Sequence, residues 1–139
     1  MRVDLHTHSS RSDGTDTPAE LVRKAAETGL TGVALTDHDA TEGWAEAQTT
    51  ADEVGIRLIT GIEISTVFEG VSVHLLGYEF DPTHPELVAE LDQIIAGRIQ
   101  RLPRPLAQLA EHGMELSEEA ALALPHNAAA WGRPHVADA

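Results

Sequence analysis

The stretch GVALT, residues 32–36, constrains the fold more tightly than any other part of the chain. It carries no charge and almost no polarity, as expected of a strand buried on both faces of a parallel sheet. A strand of that kind needs helices on either side of it in sequence, and both neighbours supply them. TPAELVRKAAETG (17–29) opens with Thr17 as N-cap, Pro18 at the first helical position and Glu20 closing a Thr-x-x-Glu capping box. Leu21, Val22, Ala25 and Ala26 form its apolar stripe, and Gly29 stops it. TEGWAEAQTTADEVG (41–55) turns Trp44, Ala47, Ala51 and Val54 inward and ends at Gly55.

The same alternation extends outward. RVDLH reads as a first strand, IRLITGIEIS (56–65) as a third and VSVHLLGYEF (71–80) as a fourth. Strand and helix taking turns through the first half predict an α/β fold with parallel strands. HPELVAELDQIIAGRI (84–99) places Leu87, Leu91, Ile94 and Ile95 at helical spacing; Pro103 and Pro105 interrupt it, LAQLAEHG resumes it, and Ser117 caps a short helix ending before Pro125. Residues 1–83 therefore read as βα units, 84–124 as an inserted helical arm, and 125–139 as a return toward the sheet.

Against this frame the polar residues are not scattered. His6 and His8 close the first strand, Asp37, His38 and Asp39 the second, Glu63 follows in the third and His74 lies in the fourth. The carboxyl ends of parallel strands form the active face of such folds, so four strands in succession deliver imidazoles and carboxylates to one rim. Residues at i and i+2 on a strand point the same way, about 6.5–7 Å apart, which lets His6 and His8 converge on one ion. Asp13 follows on a loop that can fold back over the rim. A lone carboxylate in an apolar strand is costly unless paired or metal-bound, and Glu63 has two oxygens with which to bridge ions; His38 and His74 would complete neighbouring ones. Singly, His-x-His is a common exposed pattern, TDHD an ordinary polar turn and His74 a plausible core histidine. Together they point to a metal site. His84, His112 and His126 fall outside the pattern and read as surface residues.

Composition narrows the chemistry. With no cysteine among 139 residues, disulfides, zinc ribbons and thiol catalysis are excluded, and imidazole with carboxylate suits zinc, iron or manganese. The formal charge of −14 argues against a duplex DNA partner. No Gly-x-Ser-x-Gly elbow and no phosphate-binding glycine loop is present. The N-terminus lacks the apolar run of a signal peptide and no segment reaches membrane-span length, so a cytoplasmic location is expected.

DLHTHS, the following SDG, TDHD, GIEIS and VHLLGY resemble the PHP (polymerase and histidinol phosphatase) superfamily, and 12–44 together with the closing GRPHVADA is similar to its TrpH-type metal-dependent phosphoesterases. The resemblance implies a distorted seven-stranded βα barrel around two or three divalent ions (manganese, iron or zinc). It implies that His6 and His8 bind the first ion, that Glu63 bridges the first and second, that His74 joins the second, and that Asp13 and His38 hold the third. Asp37 would act in catalysis by orienting a ligand imidazole. The activity implied is hydrolysis of a phosphate ester by a metal-activated water, on a 3′,5′-nucleoside bisphosphate or the 5′ end of a short RNA. A histidinol-phosphate-type phosphatase and a non-catalytic metal-binding module are the alternatives. Arg133 would grip the phosphate, or be a surface cation near a helix start, and His135 would contact substrate or cap a loop. A later histidine and an Asp-x-His pair of the family are missing, and a closed barrel needs about 200 residues or more; the chain is expected to be the N-terminal part of a longer protein.

Overall fold

The helix starting at Pro18 forms as its residues dictate. In the computed structural model, which describes residues 1–101 and 103–114, the Thr17 hydroxyl accepts from the Glu20 amide at 3.2 Å and the Glu20 carboxylate accepts from the Thr17 amide at 2.9 Å. Both halves of the capping box are made. The element order is β1 (Val3–Thr7), α1 (Pro18–Glu27), β2 (Gly32–Leu35), α2 (Trp44–Val54), β3 (Arg57–Phe68), β4 (Val71–Tyr78), α3 (Pro85–Arg101) and α4 (Pro103–Glu111).

The strands form one mixed α/β sheet in the order β1-β2-β3-β4. β2 is buried along its whole length. Its period of two sends Val33 and Leu35 into a core with Val22 and Ala25 of α1, Ala47 and Ala51 of α2, and Leu58 of β3. Each of these side chains contributes on the order of 1.5–3 kcal/mol when fully buried, less for the alanines. Trp44, at the start of α2, donates its indole N–H to the Gly61 carbonyl at 2.9 Å, tying that helix to β3. α1 and α2 pack against one face of the sheet, over β2 and β3.

One expectation is corrected. β1, β2 and β3 run parallel, but β4 pairs with β3 antiparallel, in register from Gly61 opposite Tyr78 to Phe68 opposite Val71. Only Glu69 and Gly70 separate the two strands, both at positive φ (49° and 81°). That is the two-residue hairpin turn whose twist matches its strands, whereas a parallel return needs a crossover of a dozen residues or more. His74 therefore does not sit at the carboxyl end of a parallel strand. It lies mid-strand, opposite Ser65. β3 is also longer than its apolar pattern predicts, running on to Phe68. α3 and α4 lie between residues 84 and 124; the cap at Ser117, the histidine at 126 and the segment 125–139 lie outside the described residues. No helix among the described residues is long and apolar enough to cross a membrane.

Candidate metal centre

Backbone pairing sets the centre of the site. Beyond the end of β2 the chain keeps one parallel bridge to β3, His38 beside Glu63: the Glu63 amide donates to the Asp37 carbonyl at 3.2 Å and the Asp39 amide to the Glu63 carbonyl at 3.1 Å. Asp39 holds the bridge from below. It is buried at φ 51°, in the left-handed region that aspartate tolerates better than most residues, and its Oδ1 accepts from the Ser65 amide at 2.7 Å.

Glu63, only 5% exposed, is the hub. Its Oε2 lies 2.8 Å from His6 Nε2 and 2.9 Å from His8 Nε2, with His38 Nδ1 at 3.7 Å, while its Oε1 meets His74 Nδ1. Asp13 closes the other side, with Oδ1 3.2 Å from His8 Nδ1 and Oδ2 3.6 Å from His38 Nε2. The four imidazoles form a chain, His6 to His8 to His38 to His74, with ring centres 4.7–5.0 Å apart. Three groups of donor atoms result, each with its atoms within 4.8 Å of one another: His6, His8 and Glu63; His8, Asp13 and His38; His38, Glu63 and His74. Each group shares a residue with the next. All six residues expected as ligands are thus brought together.

The electrostatics prepare these groups as ligands. Burial alone would raise the Glu63 carboxyl, but the hydrogen bond from His6 and the proximity of His38, His74 and His8 outweigh it and hold the group below its ordinary 4.5. The His38 imidazole, helped by His8, holds Asp13 far below the usual carboxylate range against the opposing effect of burial. Burial dominates at His8 and lowers it despite Asp13 alongside. Two ionised carboxylates and a neutral imidazole are the forms a divalent cation takes, and nitrogen with oxygen is the donor set of zinc, iron or manganese. The residues fit such ions.

Asp37 has different contacts from those expected. It is 1% exposed, and its carboxylate accepts from the Ser9 amide and the Ser9 hydroxyl, both at 2.7 Å, and from the Ser12 hydroxyl at 2.6 Å. It reaches the His8 imidazole through Ser12, whose Oγ is 3.3 Å from His8 Nδ1. With its proton on Asp37, the Ser12 hydroxyl can accept from His8 Nδ1–H, as Asp13 Oδ1 can at 3.2 Å, in the tautomer that leaves Nε2 bare for an ion. Ser9 and Ser12 had no role in the sequence reading. The available signal was a run of hydroxyls between the His-x-His and Asp13, too common a pattern to stand out. Arg133 and His135 lie outside the described residues.

The loop that carries Asp13 turns back on itself, with the Ser12 and Gly14 amides both donating to the Ser9 carbonyl at 2.9 and 3.0 Å. A Cβ at Gly14 would lie 2.3 Å from the His8 carbonyl oxygen, so no larger residue fits without moving the backbone at His8 and Ser9. Gly14→Ala is expected to destabilise the fold by about 1–3 kcal/mol, read as a lower urea midpoint, and to weaken metal uptake with it.

Comparison with known proteins places these observations in context. The family model described as PHP domain matches residues 4–95. The chain is 44% identical over 123 residues to a 5′-3′ exoribonuclease of Haemophilus influenzae, covering 88% of this chain and 45% of that protein. It is 38% identical over 135 residues to a 3′,5′-nucleoside bisphosphate phosphatase of Chromobacterium violaceum, covering 97% and 47%. A crystal structure described as a candidate metal-dependent phosphoesterase from Bifidobacterium adolescentis superposes with a TM-score of 0.89 at 37% identity, over 99% of this chain and 49% of that one. The chain spans just under half the length of each.

Proposed function

The chain belongs to the PHP domain family, and from that premise we propose that it carries the metal site of a phosphoesterase hydrolysing a phosphate ester of a small nucleotide, either a 3′,5′-nucleoside bisphosphate or the 5′ end of a short RNA. The observation that carries this reading is the sharing of Glu63 and His38 between adjoining ligand groups. That arrangement suits two or three neighbouring divalent ions, manganese, iron or zinc, better than one. The four described strands are read as part of a distorted seven-stranded βα barrel, with α3 and α4 in an arm inserted into it.

In this reading His6 and His8, both aimed at Oε2 of Glu63, hold the first ion. Glu63 would bridge it to a second, which His74 would join. Asp13 and His38 would hold the third. Ions so held would lower the pKa of a water and neutralise the oxygens of the phosphoryl group during displacement. The protein's part is to keep the donors deprotonated and fixed. Asp37 does so by clamping Ser9 and Ser12, and with them the loop bearing Asp13. Arg133 and His135 are the candidates for gripping the phosphate, the first by a bidentate guanidinium contact.

The test is phosphate release from a 3′,5′-nucleoside bisphosphate by the 139-residue chain. Turnover is expected with added manganese and is expected to vanish with a chelator. Release that ignores both would overturn the metal-dependent reading.

A further inference from the structure

The structure assigns Tyr78 a positioning role at the metal centre: its hydroxyl braces β4 against β1, holding the curl of the sheet that brings His74 to His6 and His8. This inference rests on the metal-binding reading above. The Tyr78 hydroxyl donates to the Leu5 carbonyl at 2.7 Å, between residues 73 apart in sequence. β1 and β4 are the two outer strands of the sheet. In a flat sheet three strand spacings, about 14 Å, would separate them, more than one tyrosine side chain spans. The bond exists only because the sheet curls, and the same curl closes the chain of imidazoles from β1 to β4.

The path of the ring is built into its neighbours. Tyr78 stands opposite Gly61 on β3. A Cβ at Gly61 would fall 2.8 Å from Thr36 Cγ2 and 3.0 Å from Tyr78 Cδ1. The ring therefore lies in the space a side chain at 61 would take, beside Thr36, which in turn bonds the Thr7 amide and carbonyl on β1. At its far end the hydroxyl meets β1 where the ladder to β2 is irregular, between Asp4 and Thr7. Leu5 and His6 fall in that interval, so the brace grips β1 next to a ligand where regular pairing holds it least. At the near end Tyr78 shares a face of β4 with His74, four residues away.

The experiment is manganese titration by calorimetry of the wild-type chain, Tyr78→Phe and Gly61→Ala, well below the melting temperature of each. Melting of the ion-free proteins is recorded alongside. Tyr78→Phe removes only the hydroxyl and is expected to fold, while its Kd for manganese rises about 2- to 10-fold, the equivalent of one hydrogen bond. Gly61→Ala presses on Thr36 Cγ2 and the Gly77 carbonyl as well as on the ring and is expected to raise Kd as well. The double variant should lose less than the sum of the two, because the two changes share the ring's placement. A wild-type Kd retained in Tyr78→Phe, whether or not its melting temperature falls, would overturn the brace and leave the metal site standing. Wild-type chain that takes up no manganese would overturn the metal reading, and the brace with it.

Discussion

Glu63→Gln is expected to weaken manganese binding by roughly 100-fold or more, while the unfolding free energy of the ion-free chain in urea stays within about 1 kcal/mol of wild type. Glutamine keeps the size and planarity of the side chain, so the buried position opposite Leu76 stays filled. Its amide can still hydrogen-bond imidazoles. What it lacks is charge and a second ligating oxygen of equal strength. In the wild-type chain Oε2 faces His6 and His8 while Oε1 faces His74; with glutamine one of these sides meets an NH2 group that ligates nothing. Two of the three ligand groups contain Glu63, so one substitution damages both. Calorimetric titration of manganese with parallel urea unfolding separates the two effects. An unchanged manganese affinity would mean that Glu63 is no ligand, and a collapse of the ion-free fold would make it a structural carboxylate.

Asp37→Ala acts on the other arm of the same site, and the expected loss is in stability. The carboxylate accepts three hydrogen bonds from Ser9 and Ser12 while almost fully buried. Truncation leaves the Ser9 amide and hydroxyl without this acceptor in a dry place and turns the Ser12 hydroxyl to its longer contact with Asp13 Oδ1 at 3.4 Å. At about 1–3 kcal/mol for each unsatisfied buried group, partly relieved by relaxation and entering water, a net destabilisation of about 3–5 kcal/mol is expected, read by urea unfolding. The loop from Ser9 to Gly14 then loses its anchor, and Asp13 its place beside His8 and His38. Asp37→Asn should be milder but still destabilised, because its NH2 faces donors. Full stability with lost turnover would instead favour a role for Asp37 confined to orienting the imidazole of His8 through Ser12.

How much of this was legible without coordinates differs residue by residue. The α1 capping box, the buried strand at 32–35 and the stops at Gly29 and Gly55 were legible because their causes lie within a few residues. A hydroxyl reaches an amide three positions on, and apolar side chains recur with the period of their element. The convergence of His6, His8 and His38 was legible from topology, since the carboxyl ends of parallel strands share a rim, whereas Glu63 and His74 reach the site from within β3 and the antiparallel β4. The direction of β4 was readable in principle from the Glu-Gly turn, but the expectation of further parallel strands overrode that local signal.

The amino-acid sequence by itself determined the polar set and the elements that carry it: four imidazoles and two carboxylates set along and just beyond the strands of an α/β sheet, with no thiol among them. Only the tertiary structure decided which donors share an oxygen, that Asp37 clamps serines rather than an imidazole directly, and that Tyr78 reaches Leu5. Those facts join residues 25 to 73 positions apart. They depend on how far the sheet curls, a property of all its strands together that no local window of sequence contains.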